Sequence, residues 1–172
     1  MKLKTILLAS ILALNLSAIT IGKTPKNVSI SDDNGGLVKD GAEWNSSTLK
    51  NKVYVMFYVD PDVKDLNEDF SAALKEKKYD RNNYGSLAII NLAATWKPNF
   101  VIEGILKSKQ EEFPDTIYVK DKNSVLVHEW ELEDDNSDII IFSKSGKVLF
   151  YKYGKMETSD IEKALKIIEE NL

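Results

Sequence analysis

Apolar side chains along this chain recur with two periods, and the switches between them mark the elements. Residues 52–59, "KVYVMFYV", are almost continuously apolar and rich in β-branched and aromatic side chains, the pattern of a strand buried on both faces. The run stops at Asp60, and Pro61 follows, which together read as a helix start. Val63, Leu66, Phe70, Ala73 and Leu74 then recur at helical spacing and predict a helix to about Lys77. "SLAIINL", residues 86–92, predicts a second buried strand. Phe100, Val101, Ile105 and Leu106 mark a second helix that Pro114 stops. "TIYV", 116–119, predicts a further strand.

The remaining stretches are read the same way. "SVLVHEWEL" alternates like a strand, yet a short helix would also bury Leu126 and Trp130. "DIIIFSKSGKVLFYKYG" predicts a hairpin turning at Lys144-Ser145-Gly146. Ser159-Asp160-Ile161-Glu162 has the form of a capping box, and Ile161, Ala164, Leu165 and Ile168 form the buried face of the helix behind it. Near the start, "NVSISDDNGGLVKD" alternates and then turns at Asn34-Gly35, which predicts a small β-hairpin over residues 27–39. A βαβ start followed by an antiparallel hairpin and a closing helix is the thioredoxin arrangement. The expectation is a single α/β domain, a three-layer sandwich with an N-terminal β-hairpin.

Composition narrows what such a domain can do. Among 172 residues there is no cysteine and one histidine, His128. Thiol nucleophiles, disulfides and Cys-ligated metals are excluded, and a Ser-His-Asp triad or multi-His site is hard to build. The net charge of −4 gives no electrostatic footprint for nucleic acid or anionic lipid. Residues 1–18 read as a signal peptide: Lys2 and Lys4 open it, Thr5 to Leu16 is an apolar stretch too short to span a bilayer, and cleavage is expected after Ala18. Residues 19–172 are then the domain, periplasmic in location and without an integral membrane span. Losing Lys2 and Lys4 leaves 21 basic against 27 acidic groups, a net charge of −6.

"NKVYVMFYVDP", "FPDTIYVKDKNSV" and "DIIIFSKSGKVLFYKYG" resemble the corresponding stretches of thioredoxin-like domains of the TlpA and peroxiredoxin kind. That resemblance favours a short helix for "VLVHEW". More closely, the chain resembles the YtfJ family of exported bacterial proteins. The resemblance is carried by Trp44, "YDR" at 79–81, "IIN" at 89–91, "WELEDDNSDIIIFSKSGKV" at 130–148, the signal-peptide start and the closing helix. Some members of that family carry a transcriptional-regulator label, which an acidic chain without a basic stripe does not support. In thiol oxidoreductases of the thioredoxin kind, the reactive cysteines stand where this chain has "DPDVKD", 60–65. Their cis-proline position holds Ser137. The resemblance therefore implies a scaffold without redox chemistry and without a cofactor.

Thioredoxin-like topology brings three places to one end of the sheet: Asp60-Pro61-Asp62, Ala94-Thr95-Trp96 and Asn136-Ser137-Asp138. Asp60, Asp62, Thr95, Trp96, Ser137 and Asp138 are the expected ligand-binding cleft, for a small polar ligand or a protein partner. Asp60, Asp62 and Asp65 are weak metal candidates, since the spacing lacks the glycine and late glutamate of a calcium loop. The plainer role of Asp60 and Asp62 is to cap a helix and complement its dipole. Two functions are thus open: a non-catalytic interaction module, or a carboxylate-based enzyme, metal-assisted or not, at Asp60 and Asp62.

Overall fold

A computed structural model describes residues 19–172; the stretch read as a signal peptide lies outside the described residues. The centre is a six-stranded mixed sheet built from β2 (Gly35–Leu37), β4 (Val53–Val59), β5 (Tyr84–Asn91), β6 (Thr116–Asp121), β7 (Ser137–Phe142) and β8 (Val148–Tyr153). Their spatial order is β2-β6-β5-β4-β7-β8. β4, β5 and β6 run parallel, while β7, β8 and β2 pair antiparallel. Parallel neighbours need crossovers, which α1 (Glu68–Lys77) and α2 (Asn99–Glu112) supply. α3 (Val125–Trp130) follows β6, and α4 (Thr158–Asn171) closes the chain.

The sheet is covered on both faces, which is why its central strands lack polar alternation. Val53, Val55, Ile139, Ile141 and Phe150 pack under Phe70 and Leu74 of α1 and Ala164 and Ile168 of α4. Ile102 and Leu106 of α2 join the same side over Ile90 and Tyr118. On the opposite face, Met56, Tyr58, Leu87, Ile89, Val119, Ile140 and Phe142 lie under Leu126 and Trp130 of α3 and under Val28, Ile30, Trp44 and Leu49 of the N-terminal segment. The Trp44 and Trp130 rings meet edge to face at 6.5 Å. Among the described residues no helix is long and apolar enough to cross a membrane.

Three expectations are corrected. First, residues 27–39 do not form a hairpin. β1 (Ser29–Ile30) pairs with β3 (Trp44–Asn45), and β2 instead joins the edge of the main sheet against β6. Gly35 shows why. Its φ is +120°, and a Cβ there would sit 2.0 Å from the Lys120 carbonyl oxygen, so it marks a close backbone approach rather than a two-residue turn. Second, no α-helix starts at Asp60. A 3-10 turn spans Pro61–Val63, and α1 begins only at Glu68, leaving Val63 and Leu66 half-buried before it. Third, the last helix starts two residues early. Glu157 is its N-cap and closes a capping box with Asp160, so Ser159 lies inside the first turn. Residues 125–130 are helical, as the resemblance favours.

Candidate functional site

Each parallel strand ends on polar residues: Asp60 after β4, Asn91 at the end of β5 and Asp121 at the end of β6. Strand alternation then sorts them. Asn91 pairs with Asp121 and Tyr58 with Asp138 in register, so these four face α3. The turns that follow β4 and β5 carry Asp62 and Thr95, which bond to each other, and Asp60 caps the first of these turns. One end of the sheet therefore holds two polar groupings of different kind.

The first is exposed except for Asp60, which is 5% exposed. Asp60 caps the 3-10 turn, its Oδ1 accepting from the Asp62 N–H at 2.7 Å, and its own N–H donates to the Asn136 carbonyl at 2.8 Å. Burial pushes the Asp60 carboxyl up, against the Asp62 N–H and Lys97, while Asp62 and Asp135 add to the rise. Asp62 receives a hydrogen bond from Thr95 Oγ1 at 3.0 Å and an ion pair from Lys97. Lys97, and then Thr95, hold the Asp62 carboxyl below the usual range. Thr95 Oγ1 also accepts from the Lys97 N–H at 3.2 Å. Both neighbours of Trp96 are thus tied to Asp62, and Trp96 itself stands 85% exposed. Phe100, Val101 and Ile105 on α2 are exposed beside it in sequence. These three carry much of the helical spacing in the sequence, yet Ile102 and Leu106 are the residues that α2 buries.

The second grouping is sealed. Asp121 is fully buried; it accepts from the Val125 and Leu126 N–H groups at 2.9 and 3.1 Å, so it caps α3, and from the Tyr58 hydroxyl at 3.2 Å. Asn91 accepts from Ser124 Oγ at 3.0 Å and donates to Asp134 Oδ1 at 2.8 Å, which pins the acidic turn 131–136. In that turn Glu131 and Asp135 both hold left-handed backbone, with φ of 55° and 53°, a conformation that needs such anchoring outside glycine. Asp138 is fully buried. One of its oxygens accepts from the Tyr151 hydroxyl at 3.0 Å and the other has no partner. Burial pushes this carboxyl up to about 7; the Tyr151 hydroxyl opposes the rise, the Glu133 charge adds to it and the Glu133 backbone opposes it.

Of the residues expected in one cleft, Asp60, Asp62 and Thr95 come together, and Trp96 follows Thr95 with its ring in solvent. Ser137 and Asp138 do not share one side. Ser137 Oγ accepts from Asn67 Nδ2 at 3.0 Å on the α1 side, whereas Asp138 faces α3. Asp65 is exposed and paired with Lys64. Among the described residues no three His, Asp or Glu side chains are placed to hold a metal ion. His128 is exposed on α3.

Sequence reasoning misses Lys97, which reads only as part of a helix start, and Asn67, whose side chain ties Ser137, the Gly154 carbonyl and the Met156 N–H together. It also misses Asn91, Asp121 and Tyr151. A polar residue closing an apolar strand run is the one signal available for Asn91 and Asp121. Two hollows lie away from this end. One, of about 240 Å³, lies between the N-terminal segment and Trp130; the other, of about 550 Å³, lies between α2 and Lys39 and Lys120.

Comparison with known proteins fits this picture. A family model described as "Bacterial protein of unknown function (YtfJ_HI0045)" matches residues 19–171. An uncharacterized protein of Haemophilus influenzae is 32% identical over 129 residues, covering 73% of this chain and 70% of its own. The Escherichia coli K12 protein YtfJ, also described as uncharacterized, is 24% identical over 148 residues, covering 81% and 80%. Among solved structures, a Chlorobium tepidum protein assigned as the thiol:disulfide interchange protein DsbE superposes with a TM-score of 0.63 at 13% identity, over 90% of this chain and 99% of that one. Identity that low shows the thioredoxin-like fold alone.

Proposed function

The chain belongs to the YtfJ_HI0045 family of bacterial proteins, and from that premise we propose that it is an exported, non-catalytic interaction module. In this reading residues 1–18 direct export to the periplasm and are removed. The thioredoxin-like scaffold, which has no cysteine, then presents its strand end as a docking surface. The observation that carries the reading is Trp96, 85% exposed and held from both sides by groups bonded to Asp62. An amphipathic ring left in water on a fixed support has the character of an interface anchor. Phe100 is 76% exposed four positions further on, so two large apolar side chains on this stretch of chain are left in water.

The carboxylate-enzyme reading finds less support. Asp62 is neutralised by Lys97 in an open position, and Asp60, though buried and pushed up by that burial, is occupied as a cap and lines neither of the two hollows. A catalytic carboxylate is expected to be desolvated and poised near its working pH in a cleft. Two measurements test the proposal. Cell fractionation reads the location: recovery with the cytoplasm would end the export reading. A photo-crosslinking residue at position 96, with a control at Lys166 on α4, reads docking. Saturable adducts at 96 alone, competed by unlabelled protein, support it; equal yields at both positions refute it. A metal-selective rise in melting temperature, lost when Asp60 and Asp62 become Asn, would instead revive the enzyme.

A further inference from the structure

Independently of the docking reading, we infer that the hollow between the N-terminal segment and Trp130 is a binding site for a small organic anion, a carboxylate carried on one ring or a short apolar chain.

Segments distant in sequence build this hollow, of about 240 Å³, and they are tied to one another. Gly22 donates its N–H to the Val148 carbonyl at 2.7 Å, and the Val148 N–H donates to the Lys23 carbonyl at 2.9 Å, so the N-terminal segment is fixed to the start of β8. The Trp130 indole N–H donates to the Lys26 carbonyl at 2.8 Å. Val28 donates its N–H to Ser46 Oγ at 2.9 Å, and Ser46 Oγ donates to Asn27 Oδ1 at 3.1 Å, which joins the same segment to the turn 46–49. Gly146, in the hairpin turn, keeps a side chain out of the remaining wall: a Cβ there would stand 3.2 Å from the Leu49 carbonyl oxygen and 3.9 Å from Thr24 Cγ2. The hollow is thus preformed, and binding has little ordering left to bring about.

The lining sets the chemistry of the ligand. The floor is apolar: Leu49, Trp130 and Phe142 are buried there, and the two rings lie 6.1 Å apart. An apolar cavity of about 150 Å³ accepts a benzene ring, so this one has room for a ring or short chain and a headgroup besides. The rim is polar and carries one charge. No carboxylate lines it, in a chain whose acids outnumber its bases, and Lys50 is its one charged residue. Among the described residues Lys50 has no acidic partner, and the Thr24 and Ser47 hydroxyls make no hydrogen bond. An ammonium and two hydroxyls at the mouth of an apolar floor are donors for a carboxylate, which accepts up to about four hydrogen bonds. The other hollow is lined by Glu103 and Glu111 as well as Lys39, Lys107 and Lys120, so its charges select neither sign.

The test adds benzoate, benzyl alcohol or benzylamine to the protein as purified from cells, and follows assigned backbone and indole N–H signals by two-dimensional NMR. The three probes share a ring and differ in charge. Benzoate is expected to give saturable shifts at Lys50, Gly146 and the Trp130 indole, with binding at least roughly tenfold tighter than that of benzyl alcohol, about 1.4 kcal/mol, and none for benzylamine. Lys50→Met, which keeps the length of the side chain and removes its charge, should weaken benzoate by a similar factor. Thr24→Phe, which fills the mouth, should abolish binding. Melting curves confirm that both variants are folded. Equal binding of benzoate and benzylamine overturns the inferred chemistry, as does benzoate binding that Lys50→Met leaves unchanged. Shifts that survive Thr24→Phe place the ligand elsewhere and overturn the site. The absence of saturable shifts at these three positions with millimolar benzoate overturns the inference outright.

Discussion

Two polar groupings share the strand ends of this sheet, a few residues apart along the chain, and they have opposite characters. On the α3 side Tyr58, Asn91, Asp121, Ser124 and Asp138 are buried. Within this grouping only one Asp138 oxygen is shut away from water without a partner; Trp44 Nε1, on the same face, is the other such atom among the described residues. On the other side Asp62, Thr95, Lys97 and Trp96 remain in contact with solvent. Both sets contain a carboxylate, a hydroxyl and an aromatic ring, and only the open one has a cation. What differs is solvent access, and with it the energy at stake. A buried group that loses its partner bears the full desolvation cost, whereas an exposed ion pair exchanges its partner for water at little net change. The sealed grouping is therefore structural, and the open one is free to serve a partner.

That contrast can be broken first at Asp121. Asp121→Ala removes the α3 cap and leaves the Tyr58 hydroxyl and two backbone N–H groups unpaired, so denaturant unfolding is expected to show a loss of about 3 kcal/mol. A loss below about 1 kcal/mol would mean that the network is wetter than its burial implies.

Asp138 sharpens the contrast through pH. Its folded-state value, about 7, lies above the ordinary 3.8, so the folded protein holds this proton more tightly than the unfolded chain does. The associated stability is fully present below about pH 4, declines as pH rises, and is gone above about 7. The melting temperature should therefore fall between pH 5 and pH 8, and Asp138→Asn should flatten that slope. An unchanged slope in the variant would reassign the titration to another group; Asp60, also raised by burial, is the next to test.

Asp60 stands between the two groupings: it is buried like the sealed one and bonded to Asp62 of the open one. Asp60→Ala is expected to cost about 1 kcal/mol, the ordinary value of a lost cap. The smallest effect belongs to the open side. Trp96→Ala should change stability by no more than about 0.5 kcal/mol, and Asp62→Asn should leave the melting temperature unchanged, while both weaken docking. A marked stability loss in Trp96→Ala would show that the ring is packed and would remove the basis for the docking surface.

Much of the fold is legible in the order of the residues. The three parallel strands, the hairpin at 137–153 and the three long helices all follow from periodicity over stretches where a single pattern dominates. Periodicity misleads where a local signal competes with a distant partner. Asn34-Gly35 has the sequence of a hairpin turn, yet residues 35–37 pair with β6, more than eighty positions away. Asp60-Pro61 has the sequence of a helix start, but the chain makes only a 3-10 turn before Asn67 ties Ser137 and Met156 and α1 begins. At the candidate site, topology alone groups Asp60, Asp62 and Thr95, and they meet. It groups Ser137 and Asp138 with them too, but these two divide, because neighbours in a strand point to opposite faces.

The sequence by itself determined what chemistry is available. A chain without cysteine has no thiolate to give a thioredoxin-like scaffold, whatever its conformation. It also determined the order of elements, because each period of two or of 3.6 is a local property of the backbone. Only the tertiary structure decided which polar strand-end residues are sealed and which tryptophan meets water. Trp130 is 1% exposed and Trp96 is 85% exposed. Helical spacing pairs Trp130 with Leu126 on an apolar face, but the depth of burial is not a local property. The difference arises because Trp130 is covered by the N-terminal segment, packed edge to face with Trp44 and bonded to the Lys26 carbonyl, and burial of this kind depends on residues far away in the chain.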